Sequence, residues 1–470
     1  MKPKIHRGRR LSTRRKMAIA ALAVAPVALL TALPATALAD EHTPLGVSDE
    51  TQFILNTFAF LVWGALVMWM CAGFTMLESG AVRTKNASMI CLKNIGIFSI
   101  ASLAYYFIGY NLMYVDVGDL IGSFEFLYGP SDAELGLIDG AVEHVGDVVG
   151  NGYAVMSDWF FQMVFVATAA SIVSGAIAER VKMWVFFVFT LLLTAFIYPI
   201  VGAWYWGGGW LAEEGFVDFA GSTIVHSTGG WAALAGVLII GPRLGKFRKD
   251  GSVKPTPPSN VLLVTLGVLI LWLGWFGFNG GSQLALGSAA DAVAMSNILV
   301  NTTLAAAAGV LAALAVSRPI MGRMDLFAGL NGALAGLVSI TAAPYLTEHW
   351  WSIIIGAIGG VICTLAIKGL EKLKIDDVVG AIPAHLVCGI WGTLAASIAG
   401  DASFGTQLIG VLAVGGFVFA ASLVAWKLLD VIFGLRIEAN AERLGQDTAE
   451  LGIETYPEFV LMPEDFGDDD

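Results

Sequence analysis

Eleven apolar runs, most of them about 20 residues long, follow one another along this chain with short polar segments between them. A helix of that length just crosses a ~30 Å hydrocarbon core. Inside lipid every backbone N–H and C=O must find its partner within the protein, so runs of this length can only be helices. With 57% hydrophobic and 14% charged residues there is too little polar surface for a water-soluble globule of 470 residues. The expected fold is an all-α polytopic membrane protein. Its spans are predicted at 52–78, 88–114, 153–178, 182–205, 219–241, 259–283, 296–316, 326–346, 350–370, 378–400 and 405–433.

Basic residues set the orientation, because cytoplasmic loops are enriched in Lys and Arg. With the mature N-terminus outside, Arg83, Lys85, Arg180, Lys182, the group from Arg243 to Lys254, Arg318, Arg323, Lys368, Lys372 and Lys374 all fall inside. Lys427, Arg436 and Arg443 join them, Lys93 lies near the inner end of the second span, and no outer loop carries a basic residue. The expected topology is N-out, C-in. Residues 1–39, with six basic residues from Arg7 to Lys16, an apolar stretch broken by Pro26, and Ala37-Leu-Ala39, read as a cleavable signal peptide. A retained, kinked anchor is the alternative. The membrane domain then occupies 40–433, and 434–470 forms a polar, acidic cytoplasmic tail. The loop from Asp116 to Asp147 holds eight carboxylates, which serve either as a solvated surface or as a negative mouth that concentrates cations.

Eleven spans divide as five, five and one, so the second five enter the membrane in the opposite sense to the first. Inverted repeats of this kind place substrate sites near the midplane. The fifth and tenth spans carry matching units, Asp218 followed eight residues later by His226, and Asp377 followed eight residues later by His385. Each Asp is a candidate helix cap near a membrane surface. Each His lies well inside, where an ionisable group marks a substrate or proton path. Two neutral imidazoles in contact can share a hydrogen bond and line a path for a small hydrogen-bonding solute. They suit Na⁺ or K⁺ poorly, since those ions need oxygen ligands in place of their hydration shell.

Trp206, before Gly207-Gly208-Gly209, and Ser282, after Gly274-Trp-Phe-Gly-Phe278-Asn, both fall on the outer side. A tryptophan face attracts a cation and a serine hydroxyl accepts a hydrogen bond from it; an interfacial aromatic belt is the alternative. Trp350 and Trp351 read as belt residues, and Phe161 and Phe165, by themselves, as packing. Cys71, Cys91, Cys363 and Cys388 sit in apolar runs at no metal-ligand spacing, so free, buried thiols are expected, with no metal or cofactor. Gly356-x-x-x-Gly360 and the alanine-rich run 305–315 suit close helix contacts. His-Glu-x-x-His, Gly-x-Ser-x-Gly and Asn-Pro-Ala motifs are missing, which argues against an intramembrane enzyme and an aquaporin-type channel. No nucleic-acid partner is expected.

Asp218-Phe-Ala-Gly-Ser-x-x-Val-His226 with Gly241-x-Arg243 resembles the signature of the ammonium transporter (Amt/MEP/Rh) family, on the Amt side. So do Gly73-Phe-x-Met-Leu-Glu78, Gly175-Ala-x-Ala-Glu-Arg180, Gly274-Trp-Phe-Gly-Phe278-Asn and Asp376-Asp-x-x-Gly-Ala-Ile-Pro-x-His385. The resemblance implies a homotrimer in the cell membrane with one pore per subunit, carrying ammonium and methylammonium. It implies that Trp206, Ser282 and Phe165 form an outer recruitment site, and that Phe165 and Phe278, with Phe161 beside them, form a gate. His226 and His385 are then the pore pair, and Asp218 a structural and electrostatic support, as Asp377 is by its matching place. The tail from Gly434 to Pro457 resembles the part that answers to PII-type proteins. Leu386, where many relatives have glycine, and the acidic end Asp468–Asp470 depart from the pattern. A receptor that binds ammonium and signals through its tail is the second reading.

Overall fold

The apolar runs begin where a short polar side chain can take up the first free N–H groups. Ser48, Asn260, Ser288, Asp325 and Ser403 each accept a backbone N–H at the start of a helix. The structure is a computed structural model that describes residues 47–140 and 145–457. The signal-peptide expectation for 1–39 and the acidic end at 468–470 lie outside the described residues.

Eleven principal helices follow in order among the described residues. They are α1 (Asp49–Ala81), α2 (Thr84–Tyr114), α3 (Val155–Ala176), α4 (Met183–Glu213, with a turn at 206–209), α5 (Ser222–Ile240) and α6 (Val261–Gly280). Then come α7 (Ala289–Met321), α8 (Leu326–Ile340), α9 (His349–Lys372), α10 (Ile382–Ala399) and α11 (Phe404–Phe433). Ten are long and apolar enough to cross a membrane. The exception is α8, expected over 326–346, whose 15 residues reach only about 22 Å. It is buried along most of its length between its neighbours, so it has little need to match the lipid thickness.

Small residues bring α7, α8 and α9 together. A Cβ at Gly336 or Gly356 would lie 2.2 or 2.1 Å from the Ala305 carbonyl oxygen, and one at Gly360 would lie 2.2 Å from that of Gly309. The alanine-rich run and the Gly-x-x-x-Gly pair therefore meet each other. The thiols divide differently from expectation: all four are free, and Cys363 and Cys388 are buried, but Cys71 is half-buried and Cys91 exposed. An apolar run hides no residue by composition alone, since one face of α2 turns away from the bundle.

Five of the helices carry a π-helical turn, at 105–109, 193–197, 222–227, 276–280 and 382–387. Such turns shift the register of side chains and concentrate at functional sites. Three of them hold His226, Phe278 and His385.

At one end of the bundle the basic loops converge on buried carboxylates. Arg243 grips Asp376 through Nε at 2.8 Å and Nη2 at 2.9 Å, and reaches Glu179 through Nη1 at 3.1 Å. Arg83 pairs with Glu179, and Arg180 donates to the Asp376 and Gly241 carbonyls. The tail folds onto this network. Glu442 accepts from Arg436 and from the Leu244 N–H, Asp447 takes the N–H groups of Ser88 and Met89, and the Gln446 N–H donates to Asn86. Burial raises the Asp376 carboxyl, but the hydrogen bonds and charge of Arg243, with the charge of Arg180, outweigh it and hold the group well below the usual range.

Breaking a buried pair strands the other charge, so Asp376→Asn should cost about 3–5 kcal/mol at pH 7, read as a lower unfolding temperature in detergent. A depressed carboxyl stabilises above its unfolded pKa of ~3.9 and loses that contribution as pH falls towards its folded value. Wild type and variant should therefore converge progressively below about pH 4. A gap that persists undiminished in acid would refute the role given to this carboxylate.

Candidate functional site

Helices α5 and α10 begin in the same way. Three residues after Asp218 and after Asp377 comes a glycine in the left-handed region, Gly221 at φ 102° and Gly380 at φ 84°. Only glycine adopts that conformation freely. The chain then turns directly into a π-helical turn. Asp218 Oδ2 accepts the N–H groups of Thr223 and Ile224 at 2.9 and 2.8 Å. Asp377 accepts those of Val379, Gly380 and Ile382 at 3.3, 3.0 and 2.7 Å. Both carboxylates thus pair the first free N–H groups of their helices, though from upstream of the cap position. The eight-residue intervals from Asp to His are not continuous α-helix; a left-handed glycine and a π-helical turn fill them.

The two starts cross at glycines. A Cβ at Gly230 would lie 2.7 Å from the Leu386 nitrogen, and one at Gly389 would lie 2.5 Å from Ser227 Oγ. Leu386 follows His385 as Ser227 follows His226, so the crossing is reciprocal. The departure at Leu386 falls on this contact, where Gly230 makes room for its Cβ. At the centre His226 and His385 are buried, with their Nδ1 atoms 3.3 Å apart.

The other expected residues gather on the His226 side of that contact. Phe165 and Phe278 stack at 4.1 Å between centroids, and Phe278 stacks on the His226 ring at 5.1 Å. Trp206 meets Phe165 edge-on at 5.9 Å and donates through Nε1 to the Asp218 carbonyl. Ser282 gives its proton to the Phe278 carbonyl at 2.8 Å, which leaves its oxygen free to accept. A cavity of about 330 Å³ is lined by Trp206, Ser282, Phe161 and Phe165 together. Phe161, read alone as packing, touches Phe165 at 4.8 Å and this cavity as well.

Beyond the histidines, His385 and Glu78 line a space of about 20 Å³, room for one water. It shares Leu334, Asn331 and Val379 with a cavity of about 240 Å³ on the side of the Arg243 network. The residues singled out therefore lie along one line, from Trp206 through the phenylalanines and histidines to Asp377.

Three residues escaped the sequence reading. Trp275 stacks on His226 at 4.9 Å and is fixed by a hydrogen bond to Thr341 at 2.9 Å. Glu78 accepts from Ser174 at 2.7 Å, and the Ser174 carbonyl accepts from the buried Lys93. Asp158 lines the 330 Å³ cavity. All three could have been noticed: Trp275 and Glu78 lie inside quoted motifs, and Asp158 stands seven residues before Phe165.

A sequence model described as the Ammonium Transporter Family matches residues 58–456. Ammonium transporter Amt2 of Archaeoglobus fulgidus is 38% identical over 468 residues, covering 92% of this chain and 95% of the relative. The ammonium transporter of Bacillus subtilis is 32% identical, over 84% of this chain and 97% of its own length. Among solved structures, a Sensor Amt Protein superposes with a TM-score of 0.77 at 35% identity, over 86% of this chain and all (100%) of the other. Mep2 of Saccharomyces cerevisiae does so with a TM-score of 0.71 at 26% identity, over 86% and 95%.

Asp218→Ala leaves two buried N–H groups without an acceptor, and each such group costs about 1–3 kcal/mol. A drop in unfolding temperature matching a loss of at least ~2 kcal/mol is expected in detergent, and Asp377→Ala should behave alike. Stability equal to wild type would show that these carboxylates do not anchor the helix starts.

Proposed function

The chain belongs to the ammonium transporter family, and from that premise we propose how its residues divide the work of moving ammonium. It is a multi-pass membrane protein of ammonium transport, in a family of transporters and channels rather than enzymes. In the proposed sequence NH₄⁺ is recruited outside against the Trp206 ring, with the Ser282 oxygen accepting one of its N–H groups. A tryptophan face is worth up to ~2 kcal/mol to a desolvated cation. Next come the stacked rings of Phe165 and Phe278. There NH₄⁺ gives up a proton, leaving neutral NH₃ to pass along His226 and His385, while the proton either stays outside or follows separately.

The observation that carries this reading is the order of side chains along one line. A cavity with an aromatic wall is followed by a closed pair of rings, then by two buried imidazoles in contact. An ion shedding its water at the rings has no cage of oxygens to replace it, whereas a small neutral solute needs only the hydrogen-bonding nitrogens. The reciprocal starts of α5 and α10 support the inverted five-plus-five repeat, and the gathering of the basic loops at one end supports N-out, C-in with eleven crossings. The subunit is taken to act as a homotrimer. The folded tail, hydrogen-bonded to the loops beside the 240 Å³ cavity, suits a docking place for a PII-type regulator.

The likeness to a protein called a sensor favours a second reading, in which ammonium binds and the tail responds without flux. Substrate-induced current and methylammonium uptake in vesicles separate the two. Trp206→Leu should raise the half-saturating concentration about tenfold, equivalent to ~1.4 kcal/mol of lost cation contact. His226→Ala with His385→Ala should abolish selective uptake, and unchanged rates in that double variant would sink the mechanism. Binding with no flux in the wild type would favour the sensor.

A further inference from the structure

We propose that Asp158 is a second, charged element of the outer binding site, a carboxylate that holds the ammonium or methylammonium cation in the aromatic cavity before it reaches the phenylalanine gate. The proposal rests on the recruitment reading above and adds a residue to it.

Asp158 lies in the first turn of α3, seven residues ahead of Phe165, or ~10 Å along the helix axis. Spacings of three, four and seven put Phe161, Gln162 and Phe165 on the same face as Asp158. The carboxylate is buried, only 6% exposed, yet it lines the cavity of about 330 Å³ with Tyr110, Tyr114, Tyr153 and Trp206. Both oxygens are aimed by neutral donors. The Tyr110 hydroxyl donates to Oδ2 at 2.5 Å, and Gln162 Nε2 donates to Oδ1 at 3.2 Å. Tyr110 is itself held by rings, with Tyr128 at 4.0 Å and Tyr114 at 5.1 Å between centroids.

No Lys, Arg or His among the described residues pairs with this carboxylate. By contrast the buried carboxylates of Glu179, Asp376 and Glu442 each have a guanidinium beside them. A buried charge without a partner is costly, and hydrogen bonds from neutral groups offset only part of that cost. The remaining stabilisation is available from the cavity, which has room for a small cation and several of its waters at ~30 Å³ each. Its wall is made of tyrosine and tryptophan rings, whose faces attract cations. An anion or a neutral solute would gain nothing from this combination. A monovalent cation with N–H groups gains from both the charge and the rings.

The test is methylammonium uptake by the full chain in vesicles, with caesium as a competing monovalent cation. Asp158→Asn keeps the shape and the hydrogen bond with Tyr110 but removes the charge. It should raise the half-saturating concentration about tenfold, the equivalent of ~1.4 kcal/mol, with a much smaller change in maximal rate. Competition by caesium should weaken in parallel, and Asp158→Glu should restore most of both. If the Asn variant is not recovered folded, Tyr110→Phe carries the test. It removes the donor that keeps the carboxylate facing the cavity, and should raise the half-saturating concentration several-fold. Half-saturation and caesium competition unchanged in the folded Asp158→Asn variant, while Trp206→Leu remains impaired, would overturn the role of Asp158 and leave the recruitment site standing. If Trp206→Leu is also unimpaired, the recruitment reading itself fails.

Discussion

Backbone N–H groups that begin a helix inside hydrocarbon must be paired, and in this protein two aspartates do it. Asp218 and Asp377 each collect N–H groups on the far side of a left-handed glycine, so that α5 and α10 can start abruptly. Without those starts neither π-helical turn would form where it does, and neither histidine would face the other. The glycines at the crossing complete the arrangement, because a Cβ at Gly230 or Gly389 would hold the helices apart. The centre of the molecule is therefore fixed by backbone requirements before any substrate is considered.

The same junction ties the centre to the tail. Asp376 and Asp377 are adjacent, yet one is held by Arg243 and the other pairs the start of α10. Arg180 joins the Asp376 carbonyl to the α5 end at Gly241, and Glu442 of the tail reaches both Arg436 and Leu244. Five residues of chain, 377–381, thus separate Asp376 of the charge network from the helix that carries His385. Stability at that end of the bundle and geometry at the midpoint share the same covalent link.

Much of this was legible in residues. The matching Asp and His spacings pointed to the pair that the structure brings to 3.3 Å, and the apolar runs located every principal helix. Trp206 and Ser282 stand out by their residue types and outer placement, Phe161 and Phe165 only through the family resemblance, and all four share one cavity. What escaped was set by packing. A π-helical turn changes register without changing composition, so nothing in the string marks 222–227 or 382–387 as other than helix. The shortness of α8 follows from its burial between α7 and α9. Asp158 goes unremarked in the sequence, because only the fold turns it towards Tyr110 and Gln162. The exposure of Cys91 likewise depends on which face of α2 meets its neighbours.

The contact between the two Nδ1 atoms has one more implication. Two neutral rings joined there hold a single hydrogen between them, so the ring that donates it keeps a bare Nε2 while its partner must carry N–H at its own Nε2. The tautomers are locked in opposition. A traveller along the line meets an acceptor at one end of the pair and a donor at the other, and its own hydrogens align accordingly. Reversing that polarity takes three proton movements together: the shared hydrogen crosses to the other Nδ1, that ring's Nε2 gives up its hydrogen, and the bare Nε2 gains one, so each reversal takes in a proton at one end of the pair and releases one at the other.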